Sequence, residues 1–349
     1  MTDDHAWGQH RILSFMNEGR KLHAAQSDPS AAFPYPRFIS CWVSEVCNLD
    51  CTYCFFSETN YDKSHTFIDA SVFMSWLSEM RRHGSESLEF SGGGEPTLHR
   101  ELPHIIREAG KMGYHMGMIT HGCNTMVPQF MAENLKYVRV GLDAATVETH
   151  DEIKRNKKKG YFFPRAIENI KALVACRDSR PSLGFSVGIK VVLNQINYPE
   201  IDEMILLARD LKVNYIQIKR EHSSDNDLNA FEQDDAQQSI DNAALKNDAE
   251  FTQVKGTMSH ARATVKCFMS PIHTVVTATG KILQCCFFED RPIGTIFDPI
   301  EEVWGRERHR QVMEATTVEE CDKVDCRWNF YNKKMSELIE DPSASMSFI

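Results

Sequence analysis

The feature that most constrains the fold is a regular alternation of short apolar segments and amphipathic segments between residues 38 and 219. The apolar segments have the length of buried strands and lie at Phe38–Val43, Ser87–Phe90, His115–Ile119, Tyr137–Leu142, Leu183–Val192 and Tyr215–Lys219. The helical patterns between them lie at Asp69–His83, Glu101–Gly110, Pro128–Leu135, Phe163–Cys176 and Ile201–Leu211. Strands that alternate with helices build a parallel sheet through right-handed crossovers. We therefore predict an α/β fold, a partial (β/α)6 barrel with its chemistry at the carboxyl ends of the strands.

The segments outside this alternation predict two flanking regions. Residues 1–36 are typical of a helix, Asp4 to Ala24, followed by a Ser/Pro-rich connector. The acidic stretch Glu221–Glu250 is poor in large apolar residues and indicates a linker with a helical piece. Beyond it, the chain predicts a hairpin around Thr279-Gly280 and a helix at Ile300–Ala315. We thus expect an N-terminal helix and connector (1–36), a core barrel (37–250) and a small α+β C-terminal domain (251–349).

Charge and hydropathy restrict the partners. The 349-residue chain has a formal net charge of −10, so it offers no large basic field for a nucleic-acid backbone. No run of about 18 apolar residues is present, and the N-terminus lacks the basic start and apolar core of a signal peptide. We therefore expect a cytoplasmic protein that binds neither nucleic acid nor membrane.

Eleven cysteines are many for such a chain. A reducing compartment favours metal binding or catalysis over disulfides. The cysteines form two main groups, one near each end, with only Cys123 and Cys176 between them. This layout predicts two separate metal sites.

The first group, Cys47, Cys51 and Cys54, has the spacing C-x3-C-x2-C directly after the first strand. Three thiolates on one loop suit three irons of a cubane cluster and leave the fourth iron open to a chelating ligand. The alternative is a closed zinc site, in which Cys41 supplies the fourth ligand. Cys41 lies within the predicted strand, a position that suits a small buried side chain better.

This spacing, with Tyr53 just before the last cysteine, resembles the signature of the radical S-adenosylmethionine (SAM) superfamily. The resemblance implies a [4Fe–4S] cluster on Cys47, Cys51 and Cys54, with SAM on the open iron through its amino and carboxylate groups. It also implies that Tyr53 packs near the adenine. In that family, one-electron reduction of SAM yields a 5′-deoxyadenosyl radical that abstracts hydrogen from a substrate.

Two further segments are similar to motifs of this family. Gly92, Gly93 and Gly94 with Glu95 resemble the segment that contacts the amino group of SAM, and glycines allow such a close backbone approach. The third strand ends in "THGCN", similar to the family's TNG strand end, which places Cys123 at the barrel mouth. Without the resemblance, the glycines indicate a simple strand-to-helix turn.

The segment after the fourth strand, "GLDAATVETHDEIKRN", resembles the family's SLDG…HDxIRG pattern with one departure. Gly141 replaces the serine that often touches the SAM ribose, whereas Asp143 is retained. The partner of the SAM carboxylate is then Lys154 or Arg155, and the guanidinium fork of Arg155 suits a carboxylate better. The rest of this basic run indicates a solvated loop.

The end of the sixth strand offers candidate substrate contacts. Gln217 and Lys219 alternate onto one face, and Arg220 and Glu221 follow. We predict roles for Lys219 and Arg220 in catalysis. The alternative for these side chains is ordinary solvation at the barrel mouth.

The second group, Cys267, Cys285, Cys321 and Cys326, resembles the SPASM/twitch extension of radical SAM proteins. The resemblance implies one auxiliary [4Fe–4S] cluster that handles an electron during substrate oxidation. A structural zinc ion is the alternative. Cys286, beside Cys285, remains as a spare thiol.

These observations predict an enzyme that abstracts hydrogen from a small polar, sugar- or aminocyclitol-like substrate, giving oxidation or epimerisation. Cys123 and Cys286 are candidate hydrogen donors, whereas Cys176 fits a helix interior. A reducing partner such as flavodoxin or ferredoxin is implied. The alternatives are a peptide-modifying radical SAM enzyme, which the short segment before the first strand disfavours, and a non-catalytic Fe–S or zinc scaffold.

Overall fold

The structure is a computed structural model, and it describes residues 21, 28, 33–58, 66–221, 227–246, 252–259, 262–324, 326 and 328–340. The predicted helix from Asp4 to Ala24 lies outside these residues, apart from Lys21. The chain divides into two compact units. The barrel unit comprises residues 41–70 and 88–259, and the second unit comprises residues 1–40, 71–87 and 260–349.

The strands confirm the predicted α/β fold. After β1 (Phe38–Cys41), strands β2 to β7 are hydrogen-bonded in chain order, and the neighbours from β3 onward are parallel. Their bounds are Ser87–Phe90 (β2), His115–Thr120 (β3), Tyr137–Gly141 (β4), Ser186–Leu193 (β5), Tyr215–Arg220 (β6) and Gln253–Thr257 (β7). Strands β1 to β6 agree closely with the predicted segments, because their apolar residues mark buried strands.

Strand β7 was not predicted. It pairs in parallel with β6, so the sheet of the barrel unit continues beyond the predicted boundary at residue 250. Its sequence, QVKGT, contains a single apolar side chain, Val254, and this is its one fully buried residue. The segment predicted as a linker contains a helix, Ala230–Ala244, which Asn229 and Glu232 begin with a reciprocal capping box.

Helices occur between the strands along the chain. They are α1 (Phe55–Glu58), α2 (Ala70–Arg82, in the second unit except for its first residue), α3 (Leu102–Lys111), α4 (Pro128–Asn134), α5 (Val147–Lys154), α6 (Phe162–Ser179), α7 (Ile201–Asp210) and α8 (Ala230–Ala244). In α3, the buried residues Leu102, Ile105, Ile106 and Ala109 follow the spacing of one helix face. Helices α6 and α7 pack against β5 and β6.

The two faces of strands β4 to β6 differ in character. One face is apolar and fully buried, with Val138, Val140, Ile189, Val191, Ile216 and Ile218. The opposite face, which we call the inner face, is half-buried and mainly polar: Tyr137, Arg139, Lys190, Tyr215, Gln217 and Lys219. A parallel sheet packed between two helix layers is apolar on both faces. The inner face is therefore suited to a ligand rather than to a helix layer.

The second unit contains the predicted hairpin. Strands β8 (His273–Val276) and β9 (Lys281–Leu283) are antiparallel, and β10 (Pro292–Thr295) pairs with β9. Gly280 forms the turn with a φ of +81°, a value that glycine adopts without strain. Helices α9 (Ile300–Val303), α10 (Glu307–Ala315), α11 (Val318–Asp322) and α12 (Asn329–Glu340) follow.

The prediction of one continuous helix over Ile300–Ala315 was wrong. The helix is interrupted between Val303 and Glu307, where Gly305 has a φ of +72°. The backbone N–H of Gly305 donates to Nδ1 of His309 at 3.0 Å, and the Trp304 indole donates to the Pro34 carbonyl at 2.7 Å. The hydrogen bond from Trp304 to Pro34, which is distant in sequence, competes with the local helical pattern. No helix among the described residues is long and apolar enough to span a bilayer.

Candidate metal and cofactor site

The first cysteine group lies on the loop between β1 and α1. Burial raises the pKa of Cys47 to about 12, and the nearby thiols of Cys51 and Cys54 raise it further. Burial likewise raises the pKa of Cys51 to about 11. The metal-free thiols of Cys47 and Cys51 are therefore protonated near neutral pH, and iron binding must release their protons.

The location of Cys41 bears on the choice between a cluster and a closed zinc site. A closed zinc site needs a fourth protein ligand. Cys41, the fourth ligand of the zinc alternative, lies fully buried in β1. The donor set thus fits a cubane held by three cysteines.

Backbone hydrogen bonds hold the cysteine loop against the end of α5. The N–H of Asp50 donates to the Lys154 carbonyl at 3.1 Å, and the N–H of Thr52 donates to the Ile153 carbonyl at 2.8 Å. Arg155 ends the helix in the left-handed region, with a φ of +44°. Because the last turn of α5 presents these carbonyls to the loop, it also directs Lys154 toward the cysteines.

The glycine segment packs against the chain that leads into Cys47. The N–H groups of Gly94 and Glu95 donate to the carbonyls of Ser44 and Val46 at 2.6 and 2.8 Å. A Cβ atom on Gly94 would overlap the Val46 carbonyl, and one on Gly92 would overlap the Trp42 indole. Gly92 and Gly93 also have positive φ values of +50° and +67°. Glycine is therefore required here for a close backbone approach.

Glu95 joins this segment to the end of β3. Its buried carboxylate accepts hydrogen bonds from the Thr120 hydroxyl at 2.5 Å, the His121 N–H at 3.0 Å and the Thr97 hydroxyl at 2.6 Å. Glu95 therefore fixes the position of β3 relative to the glycine segment. Its predicted contact with SAM remains a prediction.

His121 connects β3 to the cysteine loop. Its Nδ1 accepts the Cys123 N–H at 2.9 Å, so Nε2 carries the proton and donates to Oδ1 of Asn48 at 2.8 Å. Burial lowers the pKa of His121, although the Glu95 carboxylate opposes this effect. The neutral His121 ring thus holds Asn48, the residue that follows Cys47.

A buried charged group lies beside the cysteines. The Tyr53 hydroxyl donates to Oδ2 of Asp143 at 2.5 Å, and the Lys154 ammonium donates to the Tyr53 hydroxyl at 3.0 Å and pairs with Asp143. Burial alone raises the pKa of Asp143, but the Lys154 charge and the hydrogen bonds lower it overall. Burial alone lowers the pKa of Lys154, but the Asp143 charge reverses this effect and the pKa is raised. Both groups are therefore ionised.

Sequence reasoning left Lys154 and Arg155 open as carboxylate partners and preferred Arg155. The structure places Arg155 at the surface, whereas Lys154 is 1% exposed. Lys157, Lys158 and Lys159 are exposed, as the solvated-loop interpretation expected. Lys154 is the last residue of α5, and the end of α5 contacts the cysteine loop. This position at the helix end was a sequence signal that could have favoured Lys154 over Arg155.

The other predicted residues differ in their surroundings. Cys123 is 1% exposed, its thiol donates to the His121 carbonyl, and burial raises its pKa to about 12. Lys219 is half-buried on the inner face. The Arg220 guanidinium donates to Gln233 at 2.5 Å and to the Met258 carbonyl at 3.3 Å, so it holds α8 and the end of β7.

In the second unit, the structure brings the predicted second group together with Cys286. The free thiols of Cys285 and Cys286 are hydrogen-bonded to each other, and this contact raises the pKa of Cys285. The nearby Cys267 thiol raises it further. Burial raises the pKa of Cys321 to about 11 and that of Cys326 to about 12, in both cases with Cys267 as a further cause. Cys267 thus lies near the other three predicted ligands.

Several N–H groups point at these sulfur atoms. Cys267 accepts from the Ser270 N–H at 3.3 Å and from the Asn332 amide at 3.6 Å. Cys285 and Cys326 accept backbone N–H groups at 3.5 and 3.4 Å. Hydrogen bonds to sulfur stabilise thiolates and tune the potential of iron–sulfur clusters. The donor set fits a cluster with full cysteine ligation.

A comparison with protein families bears on the first site. Residues 43–208 match the model of the radical SAM superfamily. These residues form a radical SAM domain. The match includes the cysteine loop, the glycine segment and Asp143 with Lys154, so it confirms the resemblance read from these motifs. Within this domain, hydrogen bonds connect the cysteine loop to the glycine segment, to the end of β3 and to the end of α5.

Curated relatives are distant. The chain is 25% identical over 173 residues to a tungsten-containing aldehyde ferredoxin oxidoreductase cofactor-modifying protein of Pyrococcus furiosus, and this match covers 49% of the chain and 48% of the relative. It is 26% identical over 269 residues to a probable GTP 3′,8-cyclase of Sulfurisphaera tokodaii, covering 72% of the chain and 81% of the relative. The match thus spans about half the length of the first relative.

Solved structures share the fold. Streptococcus suis SuiB bound to S-adenosylmethionine superposes with a TM-score of 0.64 and 13% identity, over 85% of this chain and 69% of that one. Native anSMEcpe with bound AdoMet gives a TM-score of 0.63 and 17% identity, over 85% and 88%. At these identities the likeness shows the fold alone.

Proposed function

We propose that the protein reductively cleaves SAM and uses the 5′-deoxyadenosyl radical to abstract hydrogen from a small polar, sugar- or aminocyclitol-like substrate, giving oxidation or epimerisation. The observation that carries this proposal is the set of three thiols on one loop, Cys47, Cys51 and Cys54, beside the Tyr53–Asp143 contact. A bound [4Fe–4S] cluster would supply the electron that breaks the carbon–sulfur bond of SAM.

The surrounding residues would hold SAM in place. Tyr53 is placed to pack near the adenine, and the backbone at Gly92, Gly93 and Gly94 is suited to the amino group, with Glu95 beside it. Lys154 is the better partner of the SAM carboxylate than Arg155, because Lys154 is buried beside Tyr53 and Asp143. Burial of Glu95, Asp143 and Lys154 would help to exclude the water that quenches a radical.

The fate of the substrate radical depends on the remaining thiols. Burial keeps Cys123 protonated, and the S–H form is the one that donates a hydrogen atom in an epimerisation. Cys286 is hydrogen-bonded to Cys285. It would act either as a hydrogen-atom donor or as a fifth thiol near the auxiliary site. In an oxidation, an auxiliary cluster on Cys267, Cys285, Cys321 and Cys326 would accept the electron, and a flavodoxin or ferredoxin would reduce the first cluster.

Anaerobic reconstitution tests this function. The wild-type protein with a strong reductant and SAM should form 5′-deoxyadenosine. Cys51→Ala should abolish this product and remove about four irons per chain, the content of one [4Fe–4S] cluster. Cys176→Ala, a thiol change on α6, is the matched control and should keep both. Product formation by Cys51→Ala would refute the assignment, and a fully loaded wild-type protein without product would favour a scaffold.

A further inference from the structure

Basic side chains occur at successive levels of the inner face, on β5 to β7. Lys190 of β5 lies opposite Gln217 of β6, which lies opposite Lys255 of β7. One level further along the strands, Lys219 of β6 lies opposite Val192. Residues at alternate positions of a strand share a face. We call Lys190, Gln217, Lys219 and Lys255 the basic wall.

The basic wall faces the same side of the sheet as the proposed SAM site. Lys190 pairs in register with Gly141 of β4. A Cβ atom on Gly141 would lie 3.8 Å from Oδ2 of Asp143 and 3.9 Å from Nζ of Lys154. Because Lys190 is aligned with Gly141, its side chain projects toward the same space from the neighbouring strand.

The carboxylates that act on Lys190 have other partners. Four ionisable groups act on it: Asp143 and Glu89 as carboxylates, and Lys219 and Arg139 as cations. The Asp143 charge is already paired with Lys154, and Glu89 accepts the Tyr137 hydroxyl at 2.5 Å.

Lys190 also lacks a partner in the described part of the chain, where its ammonium makes no hydrogen bond or ion pair. Burial lowers the pKa of Lys190 to about 8, and the Lys219 and Arg139 charges contribute to this decrease. A half-buried cation that is kept without a counter-charge costs stability. A ligand that supplies a negative charge would offset this cost.

We propose that the basic wall binds an anionic group of the substrate, a phosphate or a carboxylate, with Lys190 and Lys219 as its main contacts. This inference rests on the proposed function, since it names the class of substrate for that site. Lys154, whose Nζ would lie 3.9 Å from a Cβ atom on Gly141, is assigned to the carboxylate of SAM. Gln217, between the two lysines in sequence and facing the same side, would add a neutral amide donor.

Anion binding can be measured without turnover. Oxidised, iron-loaded protein saturated with SAM would be titrated with sodium phosphate, and separately with sodium succinate, by calorimetry at constant ionic strength. Wild-type protein should show saturable binding of at least one of these probes, and the stronger of the two identifies the anion class. Lys190→Met and Lys219→Met should each weaken binding by about tenfold, the effect of about 1.4 kcal/mol.

Two further variants make the result specific. Lys190→Arg keeps the charge and should bind the probe within about threefold of wild type, which separates lost charge from lost folding. Lys171→Met, an exposed change on α6, should leave binding unchanged. The inference fails if wild type binds neither probe, or if Lys190→Met binds it as wild type does. It also fails if Lys190→Met weakens SAM binding instead, because the cation then serves the cofactor. Absence of 5′-deoxyadenosine in a reduced sample would count against the proposed function alone.

Discussion

The hydroxyl of Tyr53 donates a 2.5 Å hydrogen bond to Asp143, and this contact joins the cysteine loop to the end of β4. Lys154 completes the group from the end of α5, so three separate parts of the chain meet at two buried charges. Oδ1 of Asp143 also accepts the Val192 N–H at 2.6 Å, which adds β5. Asp143 therefore organises the carboxyl ends of two strands around the cysteines.

Replacing Asp143 with Asn should destabilise the barrel unit by roughly 3–5 kcal/mol, because it leaves the Lys154 ammonium buried without its counter-charge. Asparagine tolerates the φ of 60° at this position, so the change isolates the charge. Urea unfolding measures the loss, and Asp210→Asn, an exposed change at the end of α7, is the control. Adding Lys154→Met to Asp143→Asn should recover part of the stability. A loss below about 1 kcal/mol in the single variant would contradict this account.

Gly94→Ala should prevent the cysteine loop from holding iron. The added methyl group would overlap the Val46 carbonyl and displace the backbone just before Cys47. Iron and sulfide analysis after reconstitution should show a loss of about four irons per chain. Gly110→Ala in α3 is the matched control, because its Cβ atom would meet no atom closer than 3.5 Å. Normal iron content in Gly94→Ala would show that the close approach is not needed.

His150 should make the protein less stable in acid. Its ring is fully buried beside Phe163, neither nitrogen has a hydrogen-bond partner, and burial lowers its pKa to about 4. Lys154 lowers this pKa further, whereas Asp143 and Asp151 oppose the decrease. Between pH 6.5 and about 4 the unfolded chain binds a proton that the folded chain does not, so stability falls as pH falls.

His150→Phe removes this dependence. Between pH 7 and pH 5, the wild-type protein should lose roughly 2 kcal/mol more unfolding free energy than the variant. Urea unfolding at both pH values measures the difference. His104→Asn, an exposed change on α3, should keep the wild-type pH dependence. Equal slopes for wild type and His150→Phe would mean that the folded state protonates this ring.

The candidate hydrogen donors can be separated by isotope incorporation. If turnover is an epimerisation, the product formed in deuterated water should contain one solvent deuterium, delivered by a thiol. Cys123→Ala or Cys286→Ala should abolish that incorporation while 5′-deoxyadenosine is still formed, because neither thiol is assigned to the first cluster. If both variants keep full incorporation and turnover, donation by these thiols is excluded.

The sequence predicted the strands well because buried apolar runs report directly on β1 to β6. It did not predict β7, whose membership in the sheet depends on backbone pairing with β6 rather than on apolar content. The break at Gly305 was missed for a related reason, since the neighbouring Trp304 donates a hydrogen bond to the distant Pro34 carbonyl. Local patterns cannot register partners that only folding brings close.

The site was predictable to a similar extent. The cysteine spacing and the glycine segment identified the loop and its neighbour, because each is a short contiguous motif. The burial of Lys154 and the register of Lys190 with Gly141 depend on how separate strands and helices align. A basic run and a lone lysine in a strand look alike in sequence, whether they face solvent or a ligand.

The hydrogen bonds from Asp50 and Thr52 to the last turn of α5 couple the position of Lys154 to the conformation of the cysteine loop. Whatever orders the loop also orders the cation beside it. Metal insertion should therefore come first during maturation, and the sulfonium cofactor should dock only onto a chain already loaded with iron. Apoprotein that captured this cofactor with undiminished affinity would show that the two events are independent.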